Sequence, residues 1–169
     1  MSREVQTLIS ATMKAEFDAF LEQLDACPAQ MFNTQTGKGH SVAWHALHIM
    51  DWTRCVIQPG LNGVNPTLTY AYLGFEQEPW AQAVYGPTLA HEQDSKEKII
   101  SVLRDTVFDE TLNAVQNAPA ERFTETATFN AIKKPRPELE SLTYHIRHTA
   151  YHRGQVQMVA AGMTWGVGA

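Results

Sequence analysis

Apolar side chains recur every three or four residues in four long stretches of this chain, and a proline or glycine closes each one. In the first stretch, Val5, Leu8, Ile9, Met13, Phe17, Phe20, Leu21 and Leu24 make one stripe at the helical period, from about Ser2 to Ala26. Cys27-Pro28 ends it, because a residue before proline is steered out of the helical region. Ser41 is placed to cap the second stretch, which carries Val42, Trp44, Leu47, His48, Asp51 and Cys55 to about Ile57 before Pro59-Gly60. The third spans roughly Leu89 to Ala118, with Ile99, Ile100, Leu103, Val107, Leu112 and Val115 on its inner side and Pro119 at its end. The fourth starts near Pro137, a favoured first-turn residue, and ends by Gly162. Four amphipathic helices of this length, with no convincing sheet, predict an all-α protein built as a four-helix bundle.

The connection between the second and third helices is long and irregular. Residues 58 to 88 carry Pro59, Gly60, Gly63, Pro66, Gly74, Pro79, Gly86 and Pro87, together with Tyr70, Tyr72, Phe75, Trp80 and Tyr85. A link of this length inside a compact domain is expected to hold one or two short helices covering a pocket, with aromatics that only cap one end of the core as the alternative. As a crossover it would take the bundle away from simple up-down order. The link from Ala120 to Arg136 alternates Phe123, Thr124, Thr126, Thr128 and Phe129, an extended pattern.

A chain of 169 residues fits one domain, here residues 1–169, with a real core. Its net charge of −5 argues against a nucleic-acid partner, which needs a basic face. No run approaches the length of a membrane span, and the N-terminus turns amphipathic at once, so a cytoplasmic protein is expected. Cys27 and Cys55 have no metal-type spacing and are read as reduced thiols.

The chemistry lies in the fourth helix. His148 and His152 are four apart and so share a face, as two imidazoles gripping one metal ion must. His145 is on the same stripe. No Glu stands three residues before His45, His48, His145, His148 or His152, so the carboxylates of a di-iron bundle are missing. Thr149 and Ala150 stand between the paired histidines where a zinc-protease helix has Glu. A third ligand should come from another helix. His48, on a stripe with Trp44, Asp51, Trp52 and Cys55, is the first candidate, and His45, read as peripheral, is the reserve.

Around that site, Asp51 is one turn from His48 and is a candidate base or ligand-orienting group, with a plain salt bridge as the alternative. Tyr144, four before His148, is a candidate hydrogen-bond donor to a bound ligand, with core packing as the alternative. Gln155 is placed to support the site, Arg153 reads as structural, and Gly154 suggests close packing of another helix. His40 and His91 have no partner pattern and are expected to be exposed.

The segment His148-x-x-x-His152-Arg153-Gly154-Gln155-Val156, with Trp44-x-x-x-His48-Ile49 upstream, resembles the DinB/YfiT-like family of metal-dependent four-helix-bundle proteins. The resemblance covers nearly the whole chain in helix count and order. It implies that one histidine of the second helix and two of the fourth, His48, His148 and His152, bind a divalent metal, most commonly zinc or nickel. It further implies a thiol S-transferase acting on a small electrophile, with a small-molecule thiol or electrophile as partner and a homodimer as the assembly. A metal-dependent hydrolase and a non-catalytic, stress-related metal-binding protein remain as alternatives.

Overall fold

The four apolar stripes become the four long helices of the computed structural model, which describes residues 2–35, 39–61, 69–132 and 134–161. Helix α1 (Ser2–Ala26) buries Ile9, Met13, Phe17, Phe20, Leu21 and Leu24. Leu8, expected on the inner side, is 66% exposed, because it is turned about 100° away from Ile9 around the helix. Helix α2 (Val42–Trp52) starts where Ser41 Oγ accepts the Trp44 N–H at 3.0 Å. It continues through a π-helical turn, Thr53–Ile57, and a 3-10 turn, Gln58–Gly60.

Helix α3 is one rod in three parts: Lys96–Ser101, the π-helical Val102–Phe108, and Asp109–Asn117. It begins later than the expected Leu89. Ser95 Oγ accepts the Lys98 N–H and Asp94 Oδ2 accepts the His91 N–H, so two short polar side chains hold residues 91–95 out of the helix. Helix α4 (Glu138–Ala160) has Pro137 as its N-cap rather than in its first turn. Its expected terminus at Gly162 lies outside the described residues, as do Gly63 and Pro66 of the crossover.

One small sheet departs from the expectation of none. Strands β1 (Thr128–Ala131) and β2 (Lys134–Pro137) pair antiparallel, burying Phe129 and Ala131 on one face. The extended pattern of residues 120–136 was its trace. No described helix is long and apolar enough to cross a membrane.

Helix directions follow from cross-helix bonds. Gln6 Nε2 donates to Val115 and Ala118 carbonyls at one end of α1, and Lys96 Nζ donates to the Asp25 carbonyl at the other, so α1 and α3 are antiparallel. Gln58, after α2, bonds Thr111 in the last part of α3, while α2 itself packs on Lys96–Ser101, so these two helices are parallel. His45 meets His152 and Thr53 meets His145, so α2 and α4 are antiparallel. The order is up-down-down-up, with α1 and α2 each packed between α3 and α4. Parallel neighbours cannot be joined by a tight turn, and the long link must carry the chain back along the bundle. Within it, Pro79–Gln82 is the one short α-helix among the described residues.

Asp51 holds this crossover. Its side chain is fully buried. Oδ1 accepts from Arg54 Nη1 (2.8 Å) and Thr88 Oγ1 (2.6 Å), and Oδ2 accepts from the Ala71 and Tyr72 N–H groups (2.8 and 3.0 Å). Removing one partner of a buried charge pair typically costs about 3–5 kcal/mol. Asp51→Ala is therefore expected to lower unfolding stability by that order in urea denaturation. A loss under about 1 kcal/mol would show that the carboxylate is not the anchor inferred here.

Candidate metal centre

Three imidazole nitrogens meet between α2 and α4. His148 Nε2 lies 3.2 Å from His48 Nε2 and 3.0 Å from His152 Nε2. These atoms form the cluster capable of holding a metal ion among the described residues. A tetrahedral zinc with bonds of about 2.0–2.1 Å has N···N edges of about 3.3 Å, so these two edges need only a few tenths of an ångström of adjustment, and all three ligand atoms lie within 4.8 Å of one another.

The tautomers suit ligation. The Tyr72 carbonyl only accepts, so His48 Nδ1, 2.7 Å away, carries its proton and leaves Nε2 with a lone pair. His152 Nδ1 lies 2.9 Å from His45 Nδ1; with the proton on His152, His45 accepts it and His152 Nε2 is likewise free. His148 Nδ1 is buried without a hydrogen-bond partner among the described residues, so apart from its Nε2 the ring is positioned by aromatic contacts. Tyr144 stacks on it at 5.7 Å and Trp52 meets it edge-on at 5.5 Å.

Burial keeps all these rings neutral. Desolvation lowers His45 and His148 to about 4 and His145 to about 3, and it holds His48 and His152 well below the ordinary histidine range. Neighbouring imidazoles reinforce the effect at His48 and His152, since two adjacent rings resist both becoming cations. Protons therefore compete with a metal here only well below pH 6.5.

The cluster opens into a cleft of about 580 Å³ walled by Trp44, Trp52, Phe75, Tyr144 and Tyr151. Trp44 is sandwiched between His40 (3.6 Å) and His48 (4.5 Å). Phe75 reaches the cleft from the crossover, after Gly74 and Phe75 both adopt left-handed φ values of 68° and 67°. Gly74 allows that turn, and a Cβ there would face His48 Cε1 at 3.5 Å.

Residues 11–156 match the family model described as the DinB superfamily. The chain belongs to the DinB superfamily. No curated protein and no solved structure matches it. The all-α architecture and the three-histidine cluster fit a metal-binding DinB-like protein.

Several residues sit elsewhere than the sequence suggested. His45 is not peripheral: it is 4% exposed and bonded to His152. The single-stripe reading fails on α2 because Val42 to Asp51 is buried all round except at Trp44. His40 is exposed but lines the cleft on Trp44, and sequence spacing gave no sign of it. Asp51 does not reach the cleft, and both its oxygens are engaged in holding the crossover. It acts on the site indirectly, by fixing the Tyr72 backbone that orients His48. Tyr144 is 45% exposed at the cleft wall rather than in the core. His145 is fully buried and bonded to Thr53 Oγ1 at 2.8 Å, away from the cluster. Arg153 is structural, held by Glu16, and Gln155 lines the cleft and donates to the Tyr151 hydroxyl. Gly154 has nothing within 4 Å of its Cβ position, so no helix packs there among the described residues.

Replacing His48, His148 or His152 singly by Ala is expected to remove most bound metal, read by elemental analysis, while circular dichroism keeps its helical signal. Full occupancy in His48→Ala would exclude it as a ligand.

The metal-free protein should lose stability on acidification. A histidine with a folded pKa below its unfolded 6.5 binds more protons when unfolded, so its contribution is complete above pH 6.5 and fades as pH falls through the folded value. Each such ring gives a slope of up to about 1.4 kcal/mol per pH unit between about 6.5 and 4. Chelated protein whose denaturation midpoint stays flat across that window would contradict the buried, neutral assignment.

Proposed function

We propose that this protein binds a divalent cation, zinc or nickel, through His48, His148 and His152 and joins a small thiol to an electrophilic carbon. The observation that carries the reading is the donor set. Three neutral nitrogens meet at the floor of an open cleft, and none of the described residues lining that cleft is Asp or Glu. A cation held there would keep its full charge, favour an anionic partner, and lower the pKa of a bound thiol so that sulfur is presented as thiolate.

The chain's own groups support this role. His48 keeps its Nδ1 proton on the Tyr72 carbonyl, and with its own Nδ1 proton on His45, His152 likewise turns an Nε2 lone pair toward a cation. The aromatic walls offer an apolar bed for the electrophile. The thiol proton leaves to solvent through the open mouth. The sulfur–carbon bond forms as the bond from that carbon to its leaving group breaks, and the leaving group departs with its electron pair. A reaction of this kind needs no carboxylate base, because the nucleophile is already deprotonated; a free thiol of pKa about 8.5 is only a few per cent ionised at neutral pH. Hydrolysis by a general-base route would call for a carboxylate beside the cation, and the described lining residues provide none.

The test is to assay cysteine, glutathione, bacillithiol and mycothiol with a chromogenic aryl halide, comparing metal-loaded protein with His152→Ala. At least one thiol should give turnover that falls by about a hundredfold or more in the variant, on the scale expected when an activating group is lost. Equal rates in both proteins would refute the mechanism. Metal-dependent ester cleavage without thiol would assign a hydrolase instead. Metal binding with neither reaction would favour a non-catalytic role.

A further inference from the structure

Charge is unevenly distributed around the cleft. The chain carries a net charge of −5, yet the described lining residues include no acid and one permanent cation, Arg147. The other arginine of α4, Arg153, is held by Glu16 through two hydrogen bonds of 2.7 and 3.2 Å. Arg147 makes no ion pair or hydrogen bond among the described residues. Its guanidinium carbon rests 5.3 Å from the centre of the Tyr144 ring, and that ring stacks on His148 at 5.7 Å. The guanidinium and a member of the Nε2 cluster therefore share one aromatic side chain on the same wall of the cleft.

A guanidinium lying on an aromatic face keeps its N–H edge free, and that planar fork matches the two oxygens of a carboxylate. Tyr144 limits the rotamers of Arg147, so less freedom is lost when a ligand is gripped. Across the cleft, Trp44, Trp52 and Phe75 present flat apolar surface.

We propose that the cleft takes a small organic acid. Its apolar body lies between the aromatic walls, its carboxylate is held by Arg147, and its other end reaches His48, His148 and His152. This rests on the reading that the three histidines hold a cation that binds a thiol, and it adds the handle by which a reactant is recognised.

The experiment is isothermal titration calorimetry of the zinc-loaded protein and of Arg147→Gln with three probes: mercaptohexanoate, mercaptohexanol and hexanoate. Arg147 is exposed, so its replacement leaves the core untouched. The parent protein should bind mercaptohexanoate about tenfold more tightly than mercaptohexanol, on the scale of hydrogen bonds to a charged group, and the preference should vanish in Arg147→Gln. Equal affinity for the two thiols in the parent, or a preference that survives in the variant, would overturn the proposal. If neither thiol engages the zinc but hexanoate binds the parent and not the variant, the acid subsite stands and the thiol reading falls. If no probe carrying a carboxylate binds at all, the subsite is refuted.

Discussion

The carboxylate of Asp51 is where the crossover meets the bundle. One oxygen takes Arg54 and Thr88, and the other takes two successive backbone N–H groups, those of Ala71 and Tyr72. These bonds fix the height at which the returning chain passes α2. That height places the Tyr72 carbonyl against His48 Nδ1, and this contact sets which nitrogen of His48 faces the cleft. A fully buried ion therefore decides the tautomer of a candidate ligand without touching the site. Leaving such an ion without partners costs several kcal/mol, so the arrangement has few low-energy alternatives.

The topology makes a connection of this kind necessary. With α2 and α3 parallel and adjacent, residues 58–95 must travel back along the bundle before α3 can begin. That return delivers Phe75 and the Tyr72 carbonyl to the site. The antiparallel contact of α2 with α4 brings His45 level with His152 and His48 level with His148. The π-helical turn after α2 shares in this alignment: Thr53, at its first position, meets His145. Local widening of a helix at a functional site is a recurrent use of the π turn.

Much of this could be read from the sequence, and what could not has a common cause. The period of apolar residues located all four helices, and the spacing of His148 and His152 located the face of α4, because both are local properties of one helix. His48 was named from its place one turn from both Trp44 and Asp51. His45 could not be placed this way, because a helix buried on every side has no single inner face to read. The start of α3 was missed because Asp94 and Ser95 cap through side-chain bonds that an apolar pattern ignores. Tyr144 and Asp51 were recognised as near the site, but their roles depend on contacts with His148, Ala71 and Tyr72, and only folding creates those contacts. The hairpin and the exposure of Gly154 are likewise matters of what packs where.

The three candidate ligands are not held alike. His48 is tied to a backbone carbonyl and His152 to another imidazole, while the buried Nδ1 of His148 has no hydrogen-bond partner among the described residues and its ring is held by stacking. Hydrogen bonds are directional and stacking is softer, so the two rings tied at Nδ1 are the more tightly oriented arms of the triad. A cation of different radius would be accommodated there most easily by a tilt of the His148 ring. A cation held there would be positioned chiefly by His48 and His152, and its release would begin at His148.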